Sequence, residues 1–171
     1  HADRPMTYST LKNIVSAAPD ARPTGVVGRC RSLPDTTGKR IAEGGLRING
    51  KYKRTLPDTP LVTIITVCRN SSRTLEQCIA SVLRQTYGSW EMLAADDGST
   101  DDSLARLESW ASREPRIRIL RGAHRGLTST LNAGLAEVRG EYVARLDADD
   151  VAELERLALQ VVYLDEHASC V

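Results

Sequence analysis

The sequence predicts an α/β fold with a mainly parallel, doubly wound sheet and helices on both faces. Three observations predict it. After Pro60, short β-branched runs alternate with segments of helical periodicity, the pattern that right-handed crossovers between parallel strands require. Two of those runs end abruptly in paired aspartates, Asp96-Asp97 and Asp147-Ala148-Asp149-Asp150. Before Pro60, by contrast, prolines and glycines are too closely spaced for regular structure.

Residues 1–59 are expected to form an irregular basic arm, punctuated by Pro5, Pro19, Pro23, Pro34 and Pro57, with a brief helix over Thr10 to Ala17. Residues 60–171 are expected to form one globular unit. Leu61 to Val67, rich in Val, Ile and Thr, is a buried-type strand. Leu75, Cys78, Ile79, Val82 and Leu83 follow helical spacing and define one apolar face. Trp90 to Ala95 is the next strand. A helix over Ser103 to Arg113 follows, with Ser99, Thr100 and Asp101 as candidate caps. Ile117 to Leu120 is a strand, Leu127 to Val138 a helix and Glu141 to Leu146 the fourth strand. Ala152 to His167 closes the series as a helix carrying Leu154, Leu157, Val161 and Leu164 on one side, and Ser169-Cys170-Val171 reads as the first residues of another strand.

The acidic strand ends carry the chemistry. Ligands of open α/β sheets bind in the crevice beyond the carboxyl ends of the strands, and both pairs fall there. Asp147, Asp149 and Asp150 repel one another, and a divalent cation offsets that repulsion. Hard cations choose carboxylate oxygen and share it with substrate phosphates. The plain alternative is a helix start capped by Asp149 or Asp150. At the other corner, Gly98 permits a tight turn that aims Asp97 into the same crevice, where a carboxylate can accept the N–H of a pyrimidine or guanine base.

From Pro60 to about Val171 the chain resembles the nucleotide-sugar-binding half of a family 2 glycosyltransferase. The matching pieces, in order, are Val62 to Val67 with Asn70, Ser81-Val82-Leu83-Arg84-Gln85-Thr86, and Asp96-Asp97-Gly98-Ser99-Thr100-Asp101. Then come Gly126 with Leu131-Asn132-Ala133-Gly134, Arg139-Gly140-Glu141-Tyr142, and the Asp147-Ala148-Asp149-Asp150 tetrad. The resemblance implies a Rossmann-like GT-A fold and inverting transfer of a sugar from a nucleotide-sugar donor, UDP-linked by preference, in polysaccharide or cell-envelope glycan synthesis. The acceptor would be a saccharide or a lipid-linked molecule.

The resemblance also implies roles. Asp149, with Asp147 and Asp150, would hold Mg²⁺ or Mn²⁺ against the donor diphosphate, and Asp147 or Asp150 could instead hold ribose or sugar hydroxyls. Asp97 would read the base, and the backbone from Val67 to Arg69 would line the nucleoside pocket. Asn70 reads equally as a polar group of the site and as a turn residue. Arg125, beside Gly126, would approach the diphosphate, although the family more often has Asn near that glycine. Arg145 would pair with a neighbouring carboxylate or line the site, and Arg156 reads as an exposed helix residue. Arg69 stands where the family often has an aromatic, and Leu154 where it often has proline. The catalytic base of the family comes from a region after the metal motif, so it is expected beyond Val171. On that reading the chain binds donor without sustained transfer, and its uncovered apolar edge favours self-association.

Composition narrows the classes. Net charge is +1, yet residues 1–60 carry 11 Lys/Arg against 5 Asp/Glu, whereas residues 61–171 carry 12 against 17. The positive arm suggests peripheral contact with an anionic membrane or a lipid-linked phosphate, with a solvated segment as the plain alternative. No nucleic-acid partner is expected. No run approaches the ~20 apolar residues of a membrane span, and Cys30, Cys68, Cys78 and Cys170 show no metal-type spacing. Reduced thiols and a cytoplasmic location are therefore expected, with Cys78 a buried apolar thiol. A haloacid-dehalogenase-like phosphatase would place its Asp pair on the first strand, which here ends without a carboxylate. A phospho-receiver domain would need a late lysine, and the last one is Lys53. A non-catalytic nucleotide-sugar-binding module of the same fold is the remaining rival.

Overall fold

The computed structural model describes residues 27–29 and 61–166. The brief helix expected over Thr10 to Ala17, the rest of the arm, and Ser169 to Val171 lie outside the described residues. Five strands, β1 (Val27–Arg29), β2 (Val62–Cys68), β3 (Trp90–Asp97), β4 (Ile117–Gly122) and β5 (Tyr142–Arg145), form one sheet. Among the described residues, four helices accompany them: α1 (Leu75–Leu83), α2 (Ser103–Arg113), α3 (Leu127–Ala136) and α4 (Arg156–Glu166). The strand order is β1-β5-β2-β3-β4. Strands β5, β2, β3 and β4 are parallel, and only β1 runs antiparallel, along β5. β1 falls within the stretch expected to be irregular, because three residues between Gly25 and Cys30 carry too little periodicity to mark a strand.

Side chains alternate across a strand, and this alternation builds two different faces. Ile64 and Met92 point to the face covered by α1, α2 and α4, in one cluster with Leu75, Cys78, Ile79, Leu107, Leu157 and Val161. Each such side chain, fully buried, contributes about 1.5–3 kcal/mol relative to exposure. Ile65 and Leu93 point to the opposite face and meet α3, where Gly134 sits directly above them. A Cβ on Gly134 would lie 3.2 Å from Ile65 Cγ2, so glycine brings that helix close.

Polar groups fix both ends of this sandwich. At the amino-terminal edge, buried Glu91 accepts bonds from Thr63 Oγ1 (2.8 Å), Arg118 Nη1 (3.1 Å) and the Arg139 backbone N–H (3.2 Å). At the outer helix, the hydroxyl of fully buried Tyr142 donates to Asp165, binding α4 to β5. Tyr142→Phe is expected to lower unfolding stability by about 1–2 kcal/mol, because it leaves a half-buried carboxylate without its donor. A urea midpoint equal to that of the parent chain would refute this.

The consequence for function lies at the other edge. Because β5, β2 and β3 are parallel neighbours, the acidic ends of β3 and β5 emerge on the same side. Two inter-strand spacings, roughly 10 Å, separate them. That is about the reach of a nucleoside diphosphate. Among the described residues, no helix is long and apolar enough to cross a membrane.

Candidate donor-binding site

Asp96 and Asp97 end β3 and face opposite ways. Asp97 shares the phase of Leu93 and Ala95, and so points toward α3. It is 3% exposed. Its Oδ1 accepts the Arg125 backbone N–H (2.8 Å) and Thr130 Oγ1 (2.7 Å), and its Oδ2 accepts the Gly126 N–H (3.1 Å). His124 Nδ1 lies 2.8 Å from Oδ2. An ionised carboxylate only accepts, so this ring nitrogen carries the proton. These donors, the Arg125 N–H first and then the Thr130 hydroxyl, hold the Asp97 carboxyl well below the usual carboxylate range against the opposing effect of burial.

Gly98 makes this possible. Its φ is +71°, and a Cβ there would come within 2.7 Å of the His124 backbone nitrogen. The loop from β4 to α3 therefore folds back over the glycine and closes on Asp97. The reading of Asp97 as the base acceptor meets a physical obstacle, because its oxygens are committed to this loop. Asp96 is differently placed. Its Oδ2 accepts the Ser99 N–H (3.1 Å), and its Oδ1 meets the Cys68 thiol at 3.7 Å, a long contact that leaves acceptor capacity.

The second corner is a turn, not a helix cap. Asp150 N–H donates to Asp147 O at 3.0 Å, and α4 starts only at Arg156. Neither Asp149 nor Asp150 therefore caps a helix, and both are exposed. Asp147 is engaged by Arg145, whose Nε and Nη2 each lie 2.9 Å from one of its oxygens. Arg156, expected to be exposed, is instead half-buried, and its Nη2 donates to Arg145 O at 2.8 Å. Burial pushes the Arg156 guanidinium down from its usual value, while the charge of Asp150 acts in the opposite sense. Three aspartates thus face two arginines, so the repulsion that the sequence suggests is already partly offset.

A row of side chains and backbone groups from α1 and the residues after it holds this turn from beneath. Cys78 Sγ donates to Asp147 O (3.5 Å), and Ser81 Oγ accepts the Ala152 N–H (2.9 Å). Gln85 Nε2 donates to Glu153 O (2.6 Å), and its Oε1 accepts the Leu157 N–H (3.0 Å). Thr86 N–H donates to Leu154 O (3.1 Å). Here lies the physical use of the Ser81 to Thr86 stretch, for which sequence alone suggested no role. Cys68 and Cys78 are buried, and desolvation pushes both thiols up to about 12, so neither is poised as a nucleophile.

The remaining expected residues lie on the rim between the corners. Val67 is half-buried and pairs in register with Ala95, while Arg69 and Asn70 are exposed. Asn70 has φ 51°, and its Oδ1 accepts the Thr100 N–H (2.8 Å). Its side chain thus ties the loop after β2 to the loop after β3, which is the turn role. Asp101 completes the tie, accepting the Ser103 N–H (2.9 Å) and the Ser72 N–H (3.1 Å). Arg125 is exposed beside Gly126 and contributes its backbone N–H to Asp97.

Among the described residues, no three His, Cys, Asp or Glu side chains converge on a metal-holding point. One or two carboxylates completed by phosphate oxygens and water suffice for Mg²⁺, so exposed Asp149 with Asp147 or Asp150 fits a cation that arrives with a diphosphate. The fold is an open, mainly parallel α/β sheet whose two acidic corners share one edge. The sequence model of glycosyl transferase family 2 matches residues 63–171, and the chain belongs to that family.

Relatives agree. An uncharacterized glycosyltransferase of Haemophilus influenzae is 34% identical over 113 residues, which are 66% of this chain and 35% of that protein. The chondroitin synthase of Escherichia coli is 36% identical over 105 residues, 61% of this chain and 15% of the synthase. The chain thus spans about a third or less of these relatives. The structure of S. aureus TarS 1–349 with UDP-GlcNAc superposes with a TM-score of 0.59 at 24% identity, over 63% of this chain and 32% of that one. The mannosyltransferase PcManGT of Pyrobaculum calidifontis, solved with GDP-Man and Mn²⁺, gives 0.58 at 21% identity, over 92% and 44%. At these identities the structural likeness establishes the fold, GT-A.

Proposed function

We propose that this chain binds a nucleoside-diphosphate sugar, UDP-linked by preference, across the edge between β3 and β5, as the donor-binding part of a polysaccharide-forming transferase. The observation that carries the reading is the placement of two acidic corners, about a nucleotide's length apart, on one edge of a family 2 sheet. Asp96 is the better placed base acceptor, because its Oδ1 retains lone pairs while Asp97 holds the β4–α3 loop. The backbone from Val67 to Arg69 lines the space between. Asp149, with Asp147 or Asp150, holds Mg²⁺ or Mn²⁺ at the diphosphate. A bound divalent cation would stabilise the charge that gathers on the departing nucleoside diphosphate. Arg125, exposed at the start of α3, is within the same rim and suits phosphate oxygens.

The acceptor, a saccharide or lipid-linked molecule, and inversion at the transferred carbon follow from the family alone. So does a base acting on the acceptor hydroxyl. The donor reading has a direct test. Calorimetry should find UDP bound at least about tenfold more tightly with Mn²⁺ than with EDTA, a difference of about 1.4 kcal/mol, and Asp149→Ala should abolish the gain. Equal binding in both conditions would refute the metal role, and no binding of any nucleotide would refute the donor site.

A further inference from the structure

The acidic turn carries a cation of its own. Arg145 spans two residues to Asp147 and lays its Nε and Nη2 against both carboxylate oxygens at 2.9 Å, the forked geometry that guanidinium makes with carboxylate. The backbone beneath is fixed, because Arg156 holds Arg145 O and Cys78 holds Asp147 O. The side chains are not. The Arg145 side chain is 50% exposed and that of Asp147 44%, so water can replace either partner, and exposed pairs of this kind are individually weak.

We propose that Arg145 is the resident counter-ion of Asp147 and competes with the divalent cation for it. The inference rests on the metal reading above. With the fork in place, Asp147 cannot offer both oxygens to a metal, and one of the turn's three negative charges is neutralised. Chelation of a cation by both Asp147 oxygens therefore requires the guanidinium to give up at least one contact. Asp149 and Asp150 remain exposed and open to the cation throughout. Arg145 thus lowers the affinity of the empty site for metal and keeps Asp147 from repelling its neighbours when no donor is bound.

The test uses Mn²⁺ alone, titrated into the 171-residue chain and followed by the electron paramagnetic resonance signal of free Mn²⁺. Removing the competitor in Arg145→Gln should tighten Mn²⁺ binding about threefold to tenfold, in keeping with the modest strength of an exposed pair. Arg145→Lys keeps the charge without the fork and should give a smaller gain. Arg121→Gln removes an equal charge from an exposed pair with Glu108, away from the turn, and should change affinity less than about twofold by screened long-range attraction. Equal effects of Arg145→Gln and Arg121→Gln, or weaker Mn²⁺ binding by Arg145→Gln, would overturn the competition. A parallel UDP titration separates the two readings. If Mn²⁺ still strengthens UDP binding by the parent chain while Arg145→Gln leaves Mn²⁺ affinity unchanged, only the competition fails. If Mn²⁺ has no effect on UDP, the metal reading fails and the competition falls with it.

Discussion

Asp97→Asn is expected to loosen the loop between β4 and α3 and to weaken every nucleotide alike, leaving base preference unchanged. The native carboxylate accepts four donors, from His124, Arg125, Gly126 and Thr130. An amide keeps one oxygen and turns the other position into a donor, so at least one backbone N–H then faces another N–H. The variant should melt about 5–10 °C lower, the range for loss of a buried network in a domain of this size. The pH dependence has a definite sign. The folded Asp97 carboxyl lies below its ordinary value, so its contribution is fully present above the unfolded value near 4 and is lost as pH falls through the lower folded value. The stability gap between parent and Asp97→Asn should therefore narrow on acidification below about pH 4. If the variant instead keeps its melting temperature and exchanges UDP preference for another base, Asp97 is the base reader that the sequence first suggested, and Asp96 is not.

Much of this site is legible in the sequence because its framework is periodic. The alternation of β-branched runs and helical faces gives the four parallel strands from Val62 onward, and parallel strands put Asp96-Asp97 and Asp147 to Asp150 on one edge. Strand ends were less legible. β3 runs on to Asp97 and β4 to Gly122, because register pairing of Asp96 with Arg121 and of Asp97 with Gly122 extends the ladder past the apolar stretch. Polar residues there carry no hydrophobic signal, yet their backbones still pair. The start of α4 at Arg156 instead of Ala152 has a related cause: the 151–155 backbone is bonded to Ser81, Gln85 and Thr86 before helical bonds can form.

Side-chain direction was the larger gap. That Asp97 turns toward α3 was available in principle, since it shares the phase of Leu93 and Ala95, which lie opposite Met92 and Ala94. Using that phase requires knowing which helix covers which face, and the glycine of α3 that decides it, Gly134, contacts Ile65 from a distant part of the chain. Arg156 was missed for the same reason. Its spacing marks a helix surface, but tertiary contact with the Arg145 carbonyl makes it part of the acidic turn.

Gln85→Ala is expected to separate the metal-dependent part of nucleotide binding from the rest. Gln85 is 8% exposed, and its amide reaches across 68 and 72 residues to bond Glu153 O and the Leu157 N–H. Truncation leaves the buried Leu157 N–H without a partner, a loss of about 1–3 kcal/mol, or a melting temperature about 2–10 °C lower. Residues 151–155 connect the acidic turn to α4, so freeing them frees Asp149 and Asp150 to drift. Displacement of about 1 Å can cost up to ~10²-fold where geometry matters. The gain in UDP affinity from Mn²⁺ should therefore fall about tenfold or more by the same reasoning, while UDP binding in EDTA changes less than about threefold, because Asp96 and the Val67 to Arg69 rim are held by other bonds. Gln85→Glu keeps the acceptor for Leu157 and loses the donor to Glu153, so it should fall between the two. Equal weakening with and without Mn²⁺ would mean that Gln85 supports only the fold, and that the acidic turn is positioned without it, by Cys78, Ser81, Thr86 and Arg156.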